Sequence, residues 1–148
     1  MFRGASKITL DSKGRMAIPT RYRDGIQSRS SGSLVATIDR DACILLYPLP
    51  DWEEMERRLM RLSGNKPAIR AFQRRIVGHA AEMEMDSHGR VLIPKELREF
   101  AELNKQAMLI GQGNKFELWD EGRWSDWLDA SNGEAGQELP PELESLPL

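Results

Sequence analysis

Two thirteen-residue stretches, DSKGRMAIPTRYR from Asp11 to Arg23 and DSHGRVLIPKELR from Asp86 to Arg98, each set an aspartate four residues before an arginine, with a glycine between. A carboxylate before a tight turn and a guanidinium after it can lie side by side, and the arginine then offers a planar fork of donors to a base edge or a phosphate. The aspartate would aim that fork. A local ion pair that only fixes the turn is the other role this spacing allows. Seven of the thirteen positions are identical, namely Asp, Ser, Gly, Arg, Ile, Pro and the last Arg, at a constant offset of 75.

Charge along the chain favours the first stretch as an anion-facing site. The net charge of the 148 residues is -2, but residues 1–78 hold 15 Lys and Arg against 8 Asp and Glu, whereas residues 79–148 hold 6 against 15. Within the first 23 residues, Arg3, Lys7, Lys13, Arg15, Arg21 and Arg23 face a single acid, Asp11. Such a basic end can meet nucleic-acid phosphate although the whole chain is acidic. Lys13 at the tip of the first turn, with Lys7 and Arg3 on the approaching strand, is expected to add charge near Arg15. The second turn has His88 at its tip, a residue type mostly neutral near pH 7. Its approach carries Glu82 and Glu84 where the first has Lys7 and Thr9. The first turn is therefore expected to dominate phosphate affinity.

The elements that must hold these turns repeat as well. Ile8 and Leu10 match Met83 and Met85 on alternating, strand-like approaches. Gly14 and Gly89 permit the positive φ that tight turns demand. Short strands RMAI and RVLI follow, and Pro19 and Pro94 open short helices. Further on, ILLYPLPDW (Ile44 to Trp52) matches FELWDEGRW (Phe116 to Trp124) at an offset of 72, which places three extra residues in the first copy, most simply in the loop-like QSRSSG from Gln27 to Gly32. Two further strands are expected in each copy, LVATID with CILLY and AMLIG with KFELW, turning at Arg40 to Ala42 and Gln112 to Asn114. Units of about 45 residues would struggle to bury separate cores, so the copies are expected to fold against each other.

Between the copies, Trp52, Met55, Leu59 and Leu62, then Ile69, Phe72 and Ile76, recur at helical spacing. A helical hairpin bridging the units is expected. Its Arg57, Arg58, Arg61, Arg70, Arg74 and Arg75 fit an ordinary solvated face, with contact to DNA or an acidic neighbour as the alternative. The division expected is a first repeat over 5–51, bridging helices over 52–81, a second repeat over 82–125 with a third helix around Trp124 and Trp127, and an acidic, Pro-rich flexible tail over 131–148.

The opening MFRG, then TLDSKGRMAIP with TRYR, and later DSHGRVLIPKELR, resemble the MraZ family over roughly residues 1–128. The resemblance implies an α+β, mainly β fold: a duplicated AbrB-like swapped-hairpin barrel within one chain, with short helices and the bridging hairpin. It implies a DNA-binding transcriptional regulator that represses its own operon in the division and cell-wall gene cluster, bound to direct repeats of double-stranded DNA upstream. A ring-shaped homo-oligomer in the cytoplasm, associated with the nucleoid, is implied too. The family's Asp-x-x-x-Arg motif falls on Asp11 and Arg15 and on Asp86 and Arg90, with Lys13 in the first turn. The DNA-contacting set expected is thus Arg15, Lys13, Asp11, Arg90, Asp86, Arg3 and Lys7.

Other classes have little support. No catalytic motif occurs: there is no His-Glu-x-x-His, no Cys pair and no nucleophile elbow, so no enzyme activity, cofactor, metal or small-molecule substrate is expected. GQGNK (Gly111 to Lys115) leads into a strand and is expected to be a hairpin turn, since a phosphate cradle needs a helix start. The lone Cys43 sits in an apolar run and suits a buried small hydrophobe. No apolar run approaches the roughly 18 residues of a membrane span, and MFRGASK lacks a signal peptide's apolar stretch. The rival reading is an antitoxin-like interaction protein, with a DNA-binding barrel and a partner-binding acidic tail.

Overall fold

The structure, a computed structural model, describes residues 1–133 and 139–148. The first copy supplies strands β1 (Phe2–Thr9) and β2 (Arg15–Ala17), helix α1 (Thr20–Ser30), and strands β3 (Ser33–Ile38) and β4 (Ile44–Pro48). Helices α2 (Leu49–Met60) and α3 (Pro67–Ile76) form the bridge. The second copy repeats the order with β5 (Ala81–Glu84), β6 (Arg90–Leu92), α4 (Lys95–Phe100), β7 (Gln106–Gly113) and β8 (Phe116–Asp120). Helix α5 (Glu121–Gly133) and a helical turn α6 (Pro141–Glu144) follow.

The copies exchange strands rather than folding side by side. One sheet runs β1-β7-β8-β4-β3-β5, and a two-stranded ribbon pairs β2 with β6. Exchanging the copies turns that order into its own reverse, so the chain has a pseudo-two-fold axis between β8 and β4 and through the ribbon. The first strand of each copy pairs antiparallel with the third strand of the other, Ile8 opposite Ala107 and Met83 opposite Leu34. Among the described residues, neither β1 nor β5 has a ladder partner within its own copy. This is the duplicated swapped-hairpin barrel, α+β and mainly β, that the family resemblance implies.

Two apolar layers follow from the period of two along the strands. Ile44 and Leu46 of β4 face a closed interior with Ile8, Met16, Ile18, Ile26, Val91, Ile93, Leu109 and Phe116. Leu45 and Tyr47 face the other way, toward Trp52, Ile76 and Trp119, under α2 and α3. Covered on both faces, β4 is apolar along its length. Buried Thr37 donates its hydroxyl to the Ile76 carbonyl at 2.5 Å, pinning the end of α3 to the sheet. The bridging hairpin is closed by Gln73, whose amide donates to the carbonyls of Leu59 and Leu62 at 3.2 and 3.1 Å. Cys43 is fully buried in this second layer.

Three expectations need correction. Gln27 to Ser30 are not loop: α1 spans 11 residues against 6 in α4, so most of the extra length is helix. Buried Tyr22 and Ile26 hold that helix on the core, and it ends only where Ser31 and Gly32 adopt φ of 53° and 89°. Pro19 and Pro94 occupy the N-cap, extended at ψ 138° and 142°, one position before the first helical turn. Third, α5 runs on to Gly133, past the start expected for the tail, on a base of stacked Trp124 and Trp127 with centroids 5.2 Å apart. Residues 134–138 of that tail lie outside the described residues.

Candidate nucleic-acid interface

Each repeated turn is an aspartate-centred knot. In the first, Asp11 Oδ1 accepts the backbone N–H groups of Lys13 and Arg15, both at 2.9 Å, and Oδ2 accepts Arg15 Nε at 2.8 Å. The Asp11 N–H donates to the Arg15 carbonyl and the Gly14 N–H to the Asp11 carbonyl. In the second, Asp86 Oδ1 accepts His88 and Arg90 N–H at 2.9 Å and Oδ2 accepts Arg90 Nε at 3.3 Å. Gly14 and Gly89 have φ of +87° and +76°, where a side chain is strained.

These donors set the charge of the knot. The Arg15 backbone N–H, reinforced by its guanidinium and the Lys13 N–H, holds the Asp11 carboxyl down to about 2. The Arg90 backbone N–H, with that of His88, lowers Asp86 below the ordinary carboxylate value as well. Both carboxylates are ionised at neutral pH. Side-chain exposures of 40% for Arg15 and 42% for Arg90 mean that either ion pair adds little to stability. Its consequence is orientation. Nε is tied to the carboxylate, and neither terminal amino group of these arginines has a hydrogen-bond partner among the described residues. The two terminal amino groups suit a bidentate contact with guanine O6 and N7 or with a phosphate.

The ribbon brings the two copies together. Arg15 lies opposite Leu92, Met16 opposite Val91 and Ala17 opposite Arg90. Met16 and Val91 are buried, so Arg15, Ala17, Arg90 and Leu92 share the outer face. Arg15 and Arg90 are diagonal neighbours there, a relation that spans about 7–8 Å in an antiparallel pair. The turns flank this ribbon at its two ends: the Ile18 N–H donates to the Gly89 carbonyl at 2.8 Å and the Ile93 N–H to the Gly14 carbonyl at 3.0 Å.

Behind each turn stands an arginine from the other copy, a role not apparent from its own stretch of sequence. A Cβ on Gly14 would come within 2.5 Å of Arg98 Cζ, and one on Gly89 within 2.5 Å of Arg23 Cζ. Arg23 Nε donates to the Ile18 carbonyl at 2.7 Å and Arg98 Nε to the Ile93 carbonyl at 3.0 Å, which fixes both covers. The signal for them was the shared thirteenth residue of the repeat.

Not every expected residue gathers at the turns. Lys13 occupies the tip of the first, and Lys7 is exposed on β1 opposite Met108. Arg3 sits near the far end of β1, about 26 Å from Asp11 along a strand rising roughly 3.3 Å per residue. Its carbonyl accepts the Tyr22 hydroxyl at 2.5 Å, in an aromatic group with Phe2 and Phe116. Arg3 is therefore not part of the turn constellation. Among the described residues there is no group of three or more His, Cys, Asp and Glu able to hold a metal, and no helix is long and apolar enough to cross a membrane.

Strands exchanged between two copies in one chain, with an Asp–Arg knot at each end of a shared ribbon, define a duplicated swapped-hairpin protein. The family model described as "MraZ protein, putative antitoxin-like" matches residues 1–75 and again 76–138. A relative from Halorhodospira halophila named Transcriptional regulator MraZ is 52% identical over 153 residues, covering 100% of both chains. One of the same name from Methylococcus capsulatus is 50% identical over 99% of each chain. Another from Shewanella denitrificans is 54% identical over 88% of this chain and 87% of its own. The chain belongs to the MraZ family, whose members matched here are transcriptional regulators.

Proposed function

We propose that the protein is a sequence-specific DNA-binding regulator that represses its own operon in the division and cell-wall gene cluster. The observation that carries this reading is the β2–β6 ribbon with Arg15 and Arg90 each held at Nε by a carboxylate on one solvent face. A two-stranded ribbon fits the major groove, where arginine paired to guanine is the commonest specific contact. In this reading Arg15 and Arg90 contact DNA, Asp11 and Asp86 aim them, and Lys13 and Lys7 draw in phosphate. Arg3 would reach only a more distant part of the backbone. The protein works in the cytoplasm on the nucleoid, as a ring of identical subunits on direct repeats upstream of its gene. A ring presents many copies of a weak contact to one DNA molecule, and effective concentration makes their sum strong.

Fluorescence anisotropy tests this with DNA from immediately upstream of the gene against a scrambled duplex, for the wild type and the double variant Arg15→Ala/Arg90→Ala at two salt concentrations. The wild type should prefer its own DNA, and the double variant should lose that preference at unchanged size by light scattering. Equal affinity of both proteins for both duplexes would reduce the knots to structural turns.

An antitoxin-like role is the second reading, favoured by the family description and by exposed Leu139, Leu143, Leu146 and Leu148 on an acidic tail. Deleting residues 133–148 separates the two. Operator affinity and assembly survive if regulation is the whole function, whereas loss of a dedicated protein partner on deletion marks the antitoxin.

A further inference from the structure

The outer face of the β2–β6 ribbon carries one large apolar side chain. Leu92 is 54% exposed, opposite Arg15 and two residues beyond Arg90 on the same face. The pseudo-two-fold axis exchanges Arg15 with Arg90 and Leu92 with Ala17, so the second copy places a leucine where the first has only a methyl group. A scattered surface leucine needs no explanation. This one stands beside two arginines, opposite Arg15 and two residues from Arg90, whose terminal amino groups have no partner among the described residues.

On a base edge in the major groove the apolar group is the C5-methyl of thymine. We propose that Leu92 packs against a thymine C5-methyl on a base step beside the one read by Arg15, and so acts as a specificity residue. This rests on the ribbon being the DNA-reading face. The inference has a second consequence, for orientation. With like residues at both places the base-reading groups of the ribbon would be equivalent in either direction, and only the flanking charges would differ. Leucine against alanine makes the two directions unequal, and the ribbon then reads its site with a defined polarity.

The full chain tests this by fluorescence anisotropy on the upstream duplex, with each thymine replaced in turn by deoxyuridine, which removes only the methyl group. For the wild type, at least one replacement should lower affinity about fourfold, the equivalent of about 0.8 kcal/mol for one buried carbon group. Leu92→Ala should lower affinity by a similar factor and make that same replacement silent, while Leu92→Met should retain the effect. Identical deoxyuridine profiles for wild type and Leu92→Ala would overturn the assignment of Leu92 while own-DNA preference stands. A change of particle size in Leu92→Ala by light scattering would overturn it too, because Leu92 would then be covered by another copy of the chain. No preference of the wild type for its own DNA over the scrambled duplex would overturn the ribbon reading itself, and with it this one.

Discussion

At the first turn a lysine, Lys13, stands between Asp11 and Arg15; at the second a histidine, His88, stands between Asp86 and Arg90. The backbone bonds onto the carboxylate are 2.9 Å in both, yet only the N–H of the tip residue takes part. Its side chain is therefore unconstrained by the fold. Aspartate, glycine and arginine stay the same in the two copies because the knot needs a carboxylate, a positive φ and a guanidinium. The tip and the approach have diverged instead: exposed Lys7 precedes the first turn, whereas Glu82 and Glu84 precede the second, Glu84 accepting the Ser33 hydroxyl at 2.7 Å. One geometry thus serves two electrostatic settings, and in the reading proposed above the first turn is the one expected to favour phosphate.

The sharpest way to break this comparison is to remove one arginine at a time. Arg15→Ala should weaken binding to the upstream DNA by about fivefold to 150-fold, the loss of one bidentate contact of about 1–3 kcal/mol. Arg90→Ala should cost less, because acidic neighbours already oppose its approach to DNA. Anisotropy titrations of the two single variants at one salt concentration make the test, and equal losses would mean that the ribbon geometry outweighs the flanking charge.

Stability should show the opposite pattern, with no asymmetry. Gly14→Ala and Gly89→Ala each force a side chain to positive φ and into the arginine covering from the other copy. Backbone strain of this kind costs about 1–3 kcal/mol, and the two melting temperatures should fall by similar amounts. A melt that separated the two variants widely would show that the covers by Arg98 and Arg23 are not equivalent.

How much of this was legible before folding depends on whether the signal is local. The Asp–Arg knot was, because four residues of spacing and a glycine determine it within one turn. The strands and bridging helices were also legible, the strands through a period of two and the helices through a period of three to four running from Trp52 to Ile76. The cover of Gly14 by Arg98 was not, since the partners are 84 positions apart and meet only once the strands are exchanged. Arg3 misled for the converse reason: it is near Asp11 in sequence, but an extended strand keeps it away. In QSRSSG the serines suggested a loop, while Ile26, buried just before them, held the helix in place through Ser30. Ser30 even returns a hydrogen bond to the Ile26 carbonyl at 2.9 Å.

Exchanging the tips sharpens the comparison at a smaller scale. Lys13→His at pH 8 should reduce the slope of log affinity against log salt by about 0.9, one phosphate contact, and His88→Lys should increase it by up to the same amount. The preference for upstream over scrambled DNA should change little, because a phosphate contact weakens all sequences alike. If the slope did not respond to Lys13→His while specificity did, Lys13 would be reading a base.

The smallest effect is absent at neutral pH and appears only in acid. Asp11 has a folded value of about 2, below its ordinary 3.8, so its bonds contribute fully above 3.8 and are lost as pH falls through about 2. Asp86 is lowered for the same reason and must follow in the same direction. Amide resonances report this directly: those of Lys13 and Arg15 should move with a midpoint near 2, and those of His88 and Arg90 with a midpoint below 3.8. A midpoint at or above 3.8 in either turn would mean that its carboxylate does not hold the arginine in solution, and that knot would cease to be a device for aiming a guanidinium.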